Sequence, residues 1–447
     1  MRLLTIISLL AVILEYPVSA RWTLNSSCPT DIKVTVPNGR SDFGSMASVH
    51  KALSNCPNIT SLDLKVTLLG CSSWPDRWNF PFNYNGGDTY PTLKVLKLDG
   101  YDFSSAEDTR PPWQMPLHGQ NNGEKFVFGL FDWLRRGYWK PWARAQIYGY
   151  PPLAPPKSNL DLWLGAMNWS AIEELSIDGC RRADEAVEKL PSLLHSLRKL
   201  HSTNVSFIEA LPNTTLEHLT WIGPHRHSDL ATVLERQGEE LQGLEFRCDE
   251  MGCPMMRNKF NISILPKTAP NLRHLSINLP RNGSWPLDSL ETIASLPHLR
   301  TLEIYSNLQS DCQRRKPDLY SRAGHEWTAK HGSTYCTGED QFQKPLLSEN
   351  SAEEMHSFLK QKNVGGRLQN VTFRVGDWTP PWDGPVYSPP WMEHRQVEIA
   401  CSESGKVKGE KRCEMLLSQG YWPPESNREG GLSWLFEDEL EGIISGY

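Results

Sequence analysis

The chain has 447 residues, 46 Lys and Arg against 52 Asp and Glu, a formal net charge of −6, and 39% hydrophobic residues. So mild a charge argues against nucleic acid or an anionic membrane as the principal partner, and the composition is that of an ordered globular chain rather than a disordered one. The unusual feature is 17 tryptophans.

The first element is MRLLTIISLLAVILEYPVSA, residues 1–20, which reads as a secretory signal peptide. Arg2 is the basic start, Leu3 to Leu14 the apolar core, and Val18-Ser19-Ala20 the small residues for cleavage after Ala20. The core is shorter than the about 20 apolar residues a spanning helix needs, and no later stretch reaches that length without a charge or proline. The C-terminus, LFEDELEGIISGY, lacks a lipid-anchor tail or retention signal. These features predict a secreted chain with no membrane anchor. All ten cysteines follow Ala20, an even number, as expected of a chain oxidised during secretion. Eight Asn-x-Ser/Thr sequons, at Asn25, Asn58, Asn168, Asn204, Asn213, Asn261, Asn282 and Asn370, predict a glycoprotein.

Residues 21–44 read as an N-terminal cap segment. From residue 45 onward one spacing recurs, apolar residues at i, i+3 and i+5. It appears at Ile59/Leu62/Leu64, Leu93/Leu96/Leu98, Ile172/Leu175/Ile177, Leu197/Leu200 (with the polar Ser202 third) and Leu216/Leu219/Trp221. It continues at Leu241/Leu244/Phe246, Leu272/Leu275/Ile277, Leu299/Leu302/Ile304 and Leu368/Val371/Phe373. The i+3 and i+5 residues alternate as on a strand, so both point into one core while the residue between them faces solvent. At i+8 the chain turns away, and a buried Asn or Cys there can bond backbone groups left unpaired. Asn307 and Cys180 hold that position. Helix-compatible stretches fall between the strands at Ser45–Ser54, Asp184–Leu197, Asp229–Gln237, Leu287–Leu296 and Glu353–Lys360. The predicted fold is α/β, one parallel strand and one helix or irregular segment per coil, over residues 45–375. Two long interruptions, at about 102–165 and 308–350, read as insertions, and 376–447 reads as a Trp/Pro-rich and acidic C-terminal segment.

The segments CPNITSLDL, APNLRHLSI and LPHLRTLEI resemble the leucine-rich-repeat family, whose unit is L-x-x-L-x-L-x-x-N/C. They are most similar to the ribonuclease-inhibitor-like variety that fungal proteins share with F-box adaptors. The resemblance implies a curved solenoid with its parallel sheet on the concave side. It would also imply an intracellular adaptor, but a signal peptide stands where an F-box would be.

No catalytic motif emerges: there is no G-x-S-x-G elbow, no P-loop and no G-x-G-x-x-G after a strand. His325-Glu326 and His331 are wrongly spaced for a zinc-protease helix, and His225-Arg226-His227 lacks a third ligand. Neither a cofactor nor a metal is expected. Proximity along the chain pairs Cys248 with Cys253, Cys312 with Cys336 and Cys401 with Cys413 as disulfides. Candidate binding residues fall in two groups. Aromatic clusters offer Trp133, Trp139 and Trp142 with Arg135 and Arg136, and Trp378 and Trp382 in WTPPWDGPVYSPPW, as stacking platforms. Trp163 also belongs to the first cluster, and for both clusters packing onto the fold is the stronger reading. The exposed strand positions offer Asp63, Lys97, Ser176, His201, Thr220, Glu245, Ser276 and Glu303, with His218 and His274 in an adjacent file. The expected activity is non-enzymatic binding of a protein or glycan. A secreted carbohydrate-active enzyme with a Trp-lined sugar cleft is the alternative.

Overall fold

A computed structural model of the chain describes residues 28–36, 43–66, 80, 82, 87–101, 103, 158–177, 184–223, 227–248, 262–316, 330, 335–376, 378, 395–402 and 412–420. Twelve strands form one sheet whose spatial order is their order in the chain, β1 to β12. The fold is α/β and the sheet mostly parallel. The chain divides into two compact units, the first reaching Trp221 and including Thr232–Leu241, the second including Ile222–Ala231 and most of the chain from Gln242 onward.

In the first unit the strands are β1 Asp31–Val36, β2 Ser61–Val66, β3 Val95–Asp99, β4 Glu174–Ser176, β5 Lys199–His201 and β6 His218–Ile222. The apolar spacing in the sequence is the observed register. Leu62 lies opposite Ile32 and Leu96, and Leu96, Leu175, Leu200 and Leu219 continue the row. Each is at most 2% exposed. Every leucine added to such a row removes apolar area from water, roughly 1.5–3 kcal/mol per side chain. Parallel strands need a crossover, and helices supply several of them here. Met46–Asn55 is one, opened by a capping box in which Ser45 and Ser48 each accept the other's backbone N–H. A helix lies in each of the five stretches expected from the sequence, as Met46–Asn55, Asp184–Lys189, His227–Gln237, Leu287–Ala294 and Glu349–Lys362. The one expected over 184–197 ends at Lys189 and gives way to a 3-10 turn at Pro191–Leu193.

The second unit contains β7 Gly243–Arg247, β8 His274–Asn278, β9 Thr301–Ser306, β10 Asn370–Gly376, β11 Gln396–Ser402 and β12 Cys413–Gln419. Leu244, Leu275, Leu302 and Val371 form its core row. After β10 the direction changes, because β11 pairs antiparallel with β10 and β12 antiparallel with β11. These two strands lie in what the sequence presents as a Trp/Pro-rich tail. Their Val397, Ile399 and Cys401 alternate with period 2 and lack the leading apolar residue of the repeat. β1 escapes the same search, since Pro29 stands at its leading position. Gly376 ends β10 at φ +108, where a Cβ would come within 2.2 Å of the Arg395 carbonyl oxygen. That close approach requires glycine.

Buried amides close the turns. Asn307, 1% exposed, accepts the Arg281 N–H at 3.2 Å. This is the part the sequence assigns to it. Asn278 accepts from Cys248 N and Asn363 from Arg367 N, at 2.8 and 2.9 Å. In the first unit Gln237 accepts from Thr215 N at 3.0 Å and donates to the Pro212 oxygen at 2.8 Å. Each bond satisfies a backbone group that burial would otherwise leave unpaired.

Among the cysteines, Cys312–Cys336 and Cys401–Cys413 pair as expected. Cys248 is disulfide-bonded, and its expected partner Cys253 lies outside the described residues. Cys28–Cys56 is a further bond that sequence proximity misses. The parallel pairing of β1 with β2 brings the approaches to both strands side by side, although these cysteines are 28 residues apart. Arg281, whose side chain is fully buried, bonds the main chain just before and near the end of the 308–350 insertion. Its Nη1 donates to the Pro345 oxygen at 2.6 Å, its Nη2 to the Asn307 oxygen, and its guanidinium lies 5.5 Å from the Trp285 ring centre.

Candidate binding surface

The face of the sheet opposite the leucine core in the second unit carries a connected group of charged and aromatic side chains, placed by the register. Glu245, Glu303, Arg374 and Glu398 are half-buried, and Tyr305 and Arg247 are buried beneath them. Tyr305 on β9 is opposite Arg374 on β10, which is opposite Glu398 on β11. One row along, Ser276, Glu303 and Thr372 are in line. Glu303 Oε2 therefore accepts from three donors: Ser276 Oγ at 2.8 Å, Arg374 Nη1 at 2.9 Å and Tyr305 Oη at 3.2 Å. Arg374 Nη2 pairs with Glu398 at 2.9 Å. On β7, Arg247 Nε pairs with Glu245 at 2.6 Å, and its Nη1 donates to the Trp378 oxygen at 3.0 Å. Tyr305 thus stands against two guanidinium groups, Arg247 at 4.7 Å and Arg374 at 5.3 Å from its ring centre. Arg374 is also 5.4 Å from the Trp378 ring. These are cation–π distances.

The electrostatics follow from the geometry. Burial, reinforced by the Glu303 carboxylate and opposed by both arginines, pushes the Tyr305 phenol up to about 12. Burial works to lower the Arg374 guanidinium, but Tyr305, Glu303 and Glu398 outweigh it and the net shift is upward. The surface is a preorganised platform in which each long side chain is held at several points. That arrangement reduces the entropy lost when a partner docks, and Arg, Tyr and Trp are the residue types that dominate binding hot spots.

The first unit differs. Its exposed face carries ion pairs between neighbouring strands, Lys33–Asp63 at 3.5 Å and Lys97–Glu174 at 2.6 Å, and His201 lies 3.4 Å from Ser176. Such pairs are exposed and contribute little. His218 begins β6. Trp163 is a core residue: fully buried, it packs against Phe80 (5.2 Å), Tyr90 (5.4 Å), Phe82 and Trp169. Beside it His50 Nδ1 is 2.6 Å from the Tyr90 hydroxyl. Burial lowers the His50 pKa, with Asp88 opposing, and raises that of Tyr90. This tryptophan serves packing.

Of the residues singled out by sequence, Glu245, Glu303 and Trp378 come together on the platform, and Ser276 joins them through Glu303. His274 is exposed at the start of β8. Trp133, Arg135, Arg136, Trp139, Trp142 and Trp382 lie outside the described residues, as do Asn25 and Asn261. Asn58, Asn168, Asn213, Asn282 and Asn370 are exposed, and Asn204 is half-buried as the cap of helix Val205–Ala210. Sequence reasoning missed Arg247, Tyr305, Arg374 and Glu398. All four lie on predicted strands or beyond them, on the same face as Glu245 and Glu303. Extending the alternation two residues along β7, β9 and β10 finds the first three. Among the described residues no group of three His, Cys, Asp or Glu is placed to hold a metal ion, and no helix is long and apolar enough to cross a membrane. No family model matches the chain, and no curated protein matches it.

Proposed function

We propose that this chain is a secreted, non-enzymatic leucine-rich-repeat solenoid of the ribonuclease-inhibitor-like kind, which binds a protein or glycan partner through the exposed face of its sheet. The observation that carries the reading is the half-buried group Glu245, Glu303, Arg374, Trp378 and Glu398, held in place from beneath by the buried Arg247 and Tyr305. The in-register leucine rows and buried amides support the repeat architecture, and the disulfides with the signal-like N-terminus support secretion. The test is a glycan array and a crosslinking pull-down with the full secreted protein, run beside Trp378→Ala and Glu245→Ala. A partner retained by the wild type and lost by both variants, at unchanged melting temperature, supports the reading. A partner bound equally by all three refutes the platform as its site.

A further inference from the structure

The residue just before each strand forms a file of its own, because its N–H bonds to the matching residue one coil earlier. In the first unit this file runs Lys94, Glu173, Arg198, Glu217, linked by backbone bonds of 2.8–2.9 Å. The charges alternate and pair, Lys94 with Glu173 at 2.9 Å and Arg198 with Glu217 at 3.2 Å. In the second unit the same construction gives Gln242, Arg273, Arg300, Gln369. Two arginines stand on adjacent strands, roughly 4.8 Å apart in the pairing direction, with no acid between them. Arg273 and Arg300 are both exposed, and neither forms an ion pair among the described residues. Arg367, also exposed, adds a third guanidinium nearby, donating to His298 Nδ1 at 3.0 Å rather than to a carboxylate. Like charges side by side on neighbouring strands are unfavourable, and the first unit shows that this fold readily supplies acids at the equivalent positions.

We propose that this edge of the second unit binds an acidic polysaccharide carrying one carboxylate per sugar. The order Gln–Arg–Arg–Gln suits such a ligand. The guanidinium forks take carboxylates in two-point contact. The flanking amides, whose side chains make no hydrogen bond among the described residues, can donate to and accept from sugar hydroxyls. The inference does not use the Arg247–Tyr305–Arg374 platform, so either can fail without the other.

The experiment is calorimetric titration of the full secreted chain with oligogalacturonate of uniform length at low salt. Fully methyl-esterified oligomer of the same length and poly-glutamate serve as comparison ligands. Arg273→Gln/Arg300→Gln is the variant, which makes the file uniformly amide. The wild type is expected to bind the free-acid oligomer and to lose affinity as salt rises above about 0.1 M, where the screening length falls below about 10 Å. The double variant is expected to bind about tenfold or more weakly at an equal or higher melting temperature. Absence of free-acid binding by the wild type, equal binding by the variant, retention of the methyl ester, or tighter binding of poly-glutamate would each overturn the proposal, the last in favour of an acidic protein segment. A lower melting temperature in the double variant would also count against it, since it would make the arginines structural.

Discussion

Replacing Glu303 with lysine tests the platform most directly, because sequence alone places this residue on the exposed strand face without naming its partners. One oxygen of Glu303 accepts from Ser276, Arg374 and Tyr305 at 2.8, 2.9 and 3.2 Å. Its side chain is 29% exposed and that of Arg374 18%. Opposite charges about 4 Å apart interact by about 4 kcal/mol at the effective dielectric of a protein surface and about 1 kcal/mol in water. The pair here lies between those limits, and desolvation offsets part of it. Arg374 keeps Glu398 when Glu303 is lost. Glu303→Gln should therefore cost about 1–2 kcal/mol, toward the low end of the about 1.5–3 kcal/mol of a hydrogen bond to a charged group, because the amide oxygen still accepts. Glu303→Lys adds repulsion from Arg374 and should cost about 2–4 kcal/mol. For a unit of this size that lowers the melting temperature by about 5–12 °C. Scanning calorimetry at low salt measures it, with exposed Glu354→Lys as the control. If Glu303→Lys melts within a degree of that control, the network does not hold the face together and the platform argument fails.

Leu275→Asp and Leu302→Asp each place a carboxylate in the core row of the second unit, where both residues are at most 1% exposed, and should abolish secretion of folded protein, since the cost rivals a total stability of about 5–15 kcal/mol. Ser276→Ala removes the 2.8 Å bond to Glu303 and should lower the urea midpoint by the equivalent of about 1 kcal/mol, less than Glu303→Lys. The Tyr305 phenol, at about 12 when folded against about 10 when unfolded, contributes stability that is complete below pH 10 and lost as pH rises through 12. Phenolate absorbance should lack this late-ionising group in Tyr305→Phe, and an unchanged titration curve would contradict its burial. Peptide mapping of secreted protein should find a mature N-terminus near Arg21 and glycans at Asn25 and Asn282. Asn370, paired with Thr301 and Ser402 on either side, should be largely unmodified, and full occupancy there would mean that the segment is glycosylated before it joins the sheet.

The strand positions from β2 to β10 were legible because parallel stacking forces every coil to place apolar residues at the same two points. β1 and the antiparallel pair β11–β12 were not, since a period of two without the leading apolar residue is also what many short surface segments show. The platform was half legible. Alternation located Glu245 and Glu303, but the partners that give them meaning come from other strands, with Tyr305 and Arg374 separated by 69 residues. Cross-strand chemistry is invisible until the register is known. Arg281 lay beyond sequence reasoning altogether, because arginine is normally a surface residue and nothing local marks one whose acceptors are carbonyls 26 and 64 residues away.

That guanidinium has a bearing on how the chain can vary. Arg281 holds the two ends of the 308–345 excursion through the carbonyl oxygens of Asn307 and Pro345, and Gly283 N reaches the Lys344 oxygen at 3.2 Å in the same way. Main-chain carbonyls are present whatever side chain a residue bears. These bonds therefore place no demand on the side chains at 344 and 345, whereas the buried Leu308, Gln309 and Phe342 and the Cys312–Cys336 bond hold the described parts of the segment. Substitution is tolerated best at its exposed described positions, such as Asp311 and Arg315, while the ends stay fixed by main-chain bonds.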